Sequence, residues 1–225
     1  MARKLQTGRP QTDQHTARPP ASAQPGSAPP RAADRIRQSA RDLFYREGIR
    51  AVGVDEIVTR AGVTKPSLYR SFPSKDELAA AYLRDYEQEF WQHFYAAMDK
   101  AAGADPRSRL LAYFERLSKR AAMGGHYRGC GLSNATVEYP HAGHPAREVA
   151  EAHKRDLRQR LAAMAAEMGA RDPAALGDAL LLLMEGCFIT GQQFGKGGPA
   201  RVAAQTAAAL IDAATAAKAK KKKKA

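Results

Sequence analysis

Between Lys65 and Ser71 the chain gathers Lys65, Ser67, Tyr69, Arg70 and Ser71 into seven residues, KPSLYRS. Lys and Arg are charged donors, and the Ser and Tyr hydroxyls both donate and accept. These are the side chains that reach phosphate oxygens and base edges. Leu68 and Phe72, four residues apart, suffice to hold such a helix on a core. Thr64 stands where a cap accepts from the first N–H groups, and Pro66 falls in the first turn, where a missing N–H costs nothing. Upstream, Ile57, Val58 and Ala61 space an earlier helix. Gly62 stops it, because glycine tolerates the left-handed conformation of a helix C-terminus. Val63 pins the turn. A helix, a short turn containing Gly and a second helix make the DNA-binding helix-turn-helix. The plain alternative is an ordinary helix pair with a solvated face.

The wider run from residue 35 to 83 resembles the N-terminal domain of tetracycline-repressor (TetR) family regulators. The resemblance is carried by the leading helix ending in Phe44 and Gly48, Asp55-Glu56-Ile57, Ala61-Gly62-Val63, Leu68-Tyr69, Phe72 and Ser74-Lys75-Asp76-Glu77-Leu78. One position departs: where the family usually has Thr or Ser four residues before Ile57, this chain has Gly53, a passable cap without a hydroxyl for phosphate. The resemblance makes Lys65 and Ser67 the expected base contacts and Tyr69 a phosphate contact. Thr64, Arg70 and Lys75 complete the expected DNA-binding set, with Thr64 and Lys75 anchoring phosphates.

The 225 residues are 44% hydrophobic, enough for one large domain or two small ones. The formal net charge is +13, and its location matters more than its size. Residues 34–75 carry nine basic and five acidic residues, and residues 76–217 carry sixteen and seventeen. The excess sits on the helix-turn-helix and on the two ends, as phosphate neutralisation requires. No apolar run reaches the roughly 18 residues of a membrane span, and no leader-like h-region opens the chain. Two cysteines, Cys130 and Cys187, are too few for a disulfide framework. These features suggest a cytoplasmic protein with no membrane partner.

Four segments follow. Residues 1–33, rich in Pro, Ala, Gln and Ser, read as a disordered basic arm. Residues 34–80 form the helix-turn-helix domain, 81–217 a helical sensing and dimerising domain, and 218–225 a lysine-rich tail. The fold expected is all-α. Helix 1 spans about Ala32 to Glu47. Helix 4 starts at the Ser74–Glu77 capping box and runs to about Lys100. Asp105-Pro106, Pro145, Asp172-Pro173 and Pro199 open further helices, and a short helical piece lies near Ser133–Tyr139. The last helix is expected to turn Val202, Ala209, Leu210 and Ile211 inward. Helices 8 and 9 are poor in charge, which suggests burial against a second copy. The resemblance implies the same: a homodimer presenting two recognition helices about 34–36 Å apart to a palindromic operator on double-stranded DNA.

Farther on, Gly129, Cys130, Asn134, Ala135 and Glu138 resemble a subset of the same family. A small-molecule effector pocket should be mostly apolar and aromatic with a few polar anchors. Candidates are Trp91, Tyr95, Phe114, Leu117, Tyr127, Cys130, Asn134, Glu138, Met184, Phe188 and Gln192, each of which could equally be plain core. Cys130 could be a redox switch if Arg128 lowers its pKa, or a small buried hydrophobe. Glu138, His141 and His144 form one Glu-x-x-His-x-x-His string, whereas a bridged metal site in a bundle needs matched ligands from facing helices. No metal or cofactor is expected. No nucleophile elbow, phosphate loop or HExxH motif points to an enzyme. The expected function is a sequence-specific transcriptional regulator, most simply a ligand-released repressor. A sequence-tolerant architectural DNA-binding protein using its basic ends is the main alternative.

Overall fold

Four side chains open four helices in the same way. The Thr64 hydroxyl accepts from the Ser67 N–H (3.4 Å), Ser74 from Glu77 (3.1 Å), the Asp105 carboxylate from Ser108 (3.1 Å) and Asp172 from Ala175 (3.0 Å). Each satisfies a donor that a helix start leaves orphaned, a contribution of about 1 kcal/mol. A computed structural model describes residues 30–101, 105–125 and 127–216. Among these the elements are α1 (Ala32–Glu47), α2 (Val54–Ala61), α3 (Lys65–Ser71), α4 (Lys75–Asp99), α5 (Pro106–Ala121), α6 (Gly131–Glu138), α7 (Pro145–Glu167), α8 (Pro173–Phe194) and α9 (Ala203–Thr215), with a 3-10 turn at Pro199–Val202. No strand occurs among the described residues, and the all-α expectation holds. The basic arm and the lysine tail lie outside them, apart from the arm's last four residues, two of which (Ala32 and Ala33) already belong to α1.

The first three helices form one small core. Ile36, Ala40, Leu43 and Phe44 of α1 meet Ile57, Val58 and Ala61 of α2, Leu68 of α3, and Phe72. Gly62 takes φ 61°, ψ 43°, and the Val63 N–H turns back to the Val58 carbonyl (3.0 Å), closing the left-handed end of α2. Arg35 crosses from α1 to donate to the Ala61 carbonyl (3.0 Å). The turn between α2 and α3 is therefore fixed at both ends.

Helix α4 continues from this core into the larger half. Leu78, Ala79, Ala80, Ala81, Tyr82 and Leu83 are buried consecutively where α1 crosses it, and Phe94, Ala97 and Met98 are buried at its far end. The larger half packs α7 along α8 and α4, and α5 across α8 and α9. Helix α9 turns Ala203, Ala207 and Ile211 inward with Leu210 packed beside them, so Ile211 and Leu210 are as expected, whereas Val202 and Ala209 are exposed. An alanine-rich helix has no polar face, so periodicity alone does not mark its buried side. Helix α8 is poor in charge, as expected. By length and composition it is apolar enough to cross a membrane, although it carries Asp178 and Glu185. Here Leu176, Leu180, Met184, Cys187 and Phe188 face the core.

His153 lies fully buried on α7, edge-on to Phe90 with ring centroids 4.6 Å apart and beside Trp91 at 5.1 Å. Its Nδ1 reaches Glu87 Oε1 (3.3 Å), and its Nε2 has no partner among the described residues. Burial, helped by Lys154 and Arg160, pushes its pKa down to about 3, so the ring is neutral in the folded chain. The unfolded chain takes up this proton first. Stability should therefore fall as pH drops from about 6.5 towards 3, by up to about 1.4 kcal/mol per pH unit. Burial raises the Glu87 carboxyl, which acts in the opposite direction at the acid end of this window. Urea unfolding of the parent and His153→Gln at pH 7 and pH 5 isolates the histidine: the parent should lose more stability between the two.

Candidate functional site

Helix α3 uses one side for attachment and leaves the other free. Leu68 is fully buried, whereas Lys65, Tyr69, Arg70 and Ser71 are exposed and Ser67 is half-buried. Tyr69, 48% exposed, is a large aromatic that the fold leaves unpacked. Lys65 Nζ rests on Asp55 Oδ1 at the start of α2 (2.7 Å), a contact worth little in water and replaceable by a nucleic acid. Arg70 Nη2 lies 3.4 Å from Ser67 Oγ, which keeps the guanidinium along the exposed face. Thr64 caps the helix with its own side chain. Lys75 differs from the rest: it is half-buried and donates to the Arg50 carbonyl (3.4 Å), and burial pushes its pKa down. Thr64, Lys65, Tyr69 and Arg70 are thus exposed, with Ser67 half-exposed among them, and Lys75 braces the flank.

The effector candidates scatter. Leu117, Tyr127 and Phe188 line an interior cavity of about 130 Å³ between α4, α5 and α8. Gln192 stands at the same end of α8, against Gly129. Phe114 and Met184 are fully buried core. Trp91 packs among Phe90, Phe94 and His153 with Arg160 over its ring, and Tyr95 accepts from Arg160 on the outer surface (2.6 Å). Asn134 spends its amide on the Arg128 carbonyl (2.8 Å). Cys130 is buried, with Lys154 Nζ 3.7 Å from its sulfur. That lysine is tied to Glu185 (2.5 Å).

Glu138 faces away from the cavity. Its carboxylate accepts from the Arg50 N–H (2.8 Å), and its carbonyl from the Arg50 guanidinium (3.3 Å), joining α6 to the loop before α2. His144 caps α7 by accepting from the Ala146 N–H (3.2 Å), and its Nε2 faces Asp76 (3.4 Å). Glu138 and His144 therefore serve the junction between the two halves. Among the described residues no three His, Cys, Asp or Glu side chains cluster as metal ligands.

Several cavity residues were not singled out from sequence. Tyr86, Phe90 and His93 come from α4, Tyr113, Arg116 and Arg120 from α5, and Arg41 from α1. The signal was available in spacing: Tyr86 and Phe90, and Arg116 and Arg120, are four apart and face the same side. An open groove of about 830 Å³ continues outward past Arg116, Arg120 and Tyr127 to Tyr45, Lys100 and Lys119. The cavity is thus bounded by α1 and α4, which also carry the helix-turn-helix.

Comparison with known proteins agrees with this geometry. Residues 36–82 match the family model for bacterial regulatory proteins of the tetR family. A TetR-type transcriptional regulator from Streptomyces avermitilis, solved as a crystal structure, superposes with a TM-score of 0.68 at 31% identity, covering 82% of this chain and 98% of that one. Among curated relatives from Mycolicibacterium smegmatis, the transcriptional activator FasR is 39% identical over 77 residues, 34% of either chain. The transcriptional repressor KstR2 is 30% identical over 101 residues, 43% of this chain and 48% of its own. The chain thus spans about a third to a half of the length of these two curated relatives.

The segment between α5 and α6 is the tightest part of the site. Gly129 has φ +67°, and a Cβ there would meet Gln192 Nε2 at 2.6 Å and the Phe188 carbonyl at 2.8 Å. Its own carbonyl accepts from the Tyr45 hydroxyl (3.3 Å) and the Tyr86 hydroxyl (3.4 Å). Gly129→Ala should therefore destabilise the fold by about 2–4 kcal/mol, from left-handed strain and overpacking combined. Chemical denaturation measures this, and a loss below about 0.5 kcal/mol would show that the segment yields.

Proposed function

The chain belongs to the tetracycline-repressor (TetR) family, and from that membership we propose that it is a homodimeric transcriptional regulator, released by a small molecule from a palindromic operator. The observation that carries this reading is the exposed face of α3. Lys65, Tyr69 and Arg70 stand clear of the core, with Ser67 half-exposed between them, on a helix whose entry turn is fixed by Gly62 and Thr64. In this arrangement Lys65 and Ser67 read base edges, Thr64, Tyr69 and Lys75 hold phosphates, and Arg70 reaches either a base edge or a phosphate. No step of this function needs catalysis, a metal or a cofactor, and the cytoplasm is where such a protein would meet its DNA.

The dimer reading draws on α8. Leu182 is 74% exposed, Ile189 50% and Phe194 60%, and the first two are seven residues apart on one stripe. Large apolar side chains unpacked in series mark an association surface, and a second copy would cover them. The 81–217 segment would then both dimerise and sense. The cavity supplies the coupling: a ligand there touches Arg41 on α1 and Tyr86, Phe90 and His93 on α4. It can alter DNA affinity only by preferring one placement of these helices over another. The curated relatives include an activator and a repressor; release by ligand is the simpler use of this geometry.

Selection of bound fragments from sheared genomic DNA, at about 150 mM salt where non-specific phosphate contacts are weakened, tests the reading. One enriched palindrome, retained after removal of residues 1–29 and 218–225, is expected. Broad enrichment that vanishes with those ends would favour an architectural DNA-binding protein. On the selected operator, Lys65→Ala should cost about 1–3 kcal/mol and relax one base position, whereas Tyr69→Phe should weaken all sequences alike, as read by fluorescence anisotropy. Leu182→Glu with Ile189→Glu should yield monomers in analytical ultracentrifugation. An unchanged dimer would place the association surface elsewhere.

A further inference from the structure

The chemistry of the cavity wall narrows the class of effector. This inference rests on the regulator reading above and names what its cavity takes. Three residues, Arg116, Arg120 and Tyr127, are shared by the inner cavity and the outer groove and so form the neck between them. Among the described residues, neither guanidinium has a carboxylate within 4.0 Å. The third arginine of the wall, Arg41, is already neutralised by a forked pair with Glu89, whose second bond is 2.6 Å. Glu115, on the groove side, is outnumbered by Lys100 and Lys119 as well as by the two neck arginines.

The neighbouring groups respond to this surplus charge. Burial, then Arg116 and Arg120, push the His93 pKa down, so that histidine adds no charge at neutral pH. Burial holds the Tyr127 hydroxyl well above its ordinary range, which keeps it protonated. That hydroxyl is also buried without a hydrogen-bond partner among the described residues. The neck therefore presents two guanidinium forks without a carboxylate partner, that of Arg120 also bonded to the Tyr45 hydroxyl, and one uncommitted O–H donor, a set that suits a planar oxyanion.

Behind the neck the wall changes character. Phe90, Tyr113, Leu117 and Phe188 supply its apolar lining, and the whole partly open cavity, arginines included, has a volume of about 130 Å³. An apolar cavity of roughly 150 Å³ holds one benzene ring. We infer that the effector is an aromatic monocarboxylate, its ring in the inner cavity and its carboxylate at Arg116, Arg120 and the Tyr127 hydroxyl. A substituent extending the ring would leave through the neck into the groove, past Met123 and Ala112.

Benzoate and cinnamate, with benzamide as the uncharged counterpart, serve as probes on the full chain free of DNA. Calorimetry should give benzoate at least about tenfold tighter binding than benzamide, the size of one charge-assisted hydrogen bond. In Arg116→Gln/Arg120→Gln that preference should disappear while benzamide binding is retained, which shows that the cavity itself is intact. Tyr127→Phe should weaken benzoate more than benzamide. Equal binding of acid and amide, undiminished benzoate binding in the double variant, or no binding of either acid at millimolar concentration would each overturn the inference. The regulator reading is judged separately, by adding benzoate to the operator complex. Charge-selective binding that leaves DNA affinity unchanged would sustain the cavity assignment and overturn ligand release.

Discussion

Much of this structure depends on one carbonyl. The Gly129 oxygen receives the hydroxyls of Tyr45 from α1 and Tyr86 from α4, in a segment pressed so closely against α8 that no side chain fits there. Each bond alone is modest, about 1 kcal/mol net. Their placement matters more than their strength. They tie the last turn of α1, the middle of α4 and the strand of chain before α6 to one point beside the cavity. The Tyr45 hydroxyl also accepts from the Arg128 N–H (3.1 Å). A shift of that segment is therefore felt by two of the helices that carry the reading surface.

A second connection lies about ten residues on. Glu138 accepts from Arg50 in the loop before α2, Lys75 donates to the same arginine's carbonyl, and His144 faces Asp76 at the start of α4. The α6 segment is thus held at its front by the cavity and at its back by the helix-turn-helix. It is short and capped by no side chain at its start, so it has few internal bonds to resist moving as a unit. The coupling proposed above would need no long chain of contacts, since one element touches both the cavity and the helix-turn-helix.

Local signals were readable without the structure wherever one residue type has one physical use. Thr64, Ser74, Asp105 and Asp172 marked helix starts because their oxygens accept from orphan N–H groups, and Gly62 marked a stop because its backbone goes left-handed. The exposed set on α3 was legible for the same reason: polar side chains crowded onto a short helix leave only Leu68 and Phe72 to bury. The cavity was not. Glu138 and Asn134 looked like buried anchors, yet each has a backbone partner supplied by another segment, Arg50 and Arg128, and no pattern announces such a partner. Arg116 and Arg120 carried no signal of a cavity, because the residues that surround them there come from α1, α4 and α8, remote in sequence. The phase of α9 was partly hidden by alanine, which packs equally well in any direction.

The pair between Lys65 and Asp55 has a consequence for discrimination. An acidic side chain stands 2.7 Å from the foremost cation of α3, on the side that would face a duplex. Where Lys65 leaves it for a guanine edge, Asp55 loses its partner close to phosphates, and only a well-formed base contact compensates. On other sequences the lysine keeps its acid, and the net charge offered to the backbone is smaller by one. If Lys65 reads a base as proposed, affinity for random DNA would be lowered slightly more than affinity for the right site. On the regulator reading proposed above, the acid would act as a weak threshold, shortening non-specific residence at a small cost to the tightest complex.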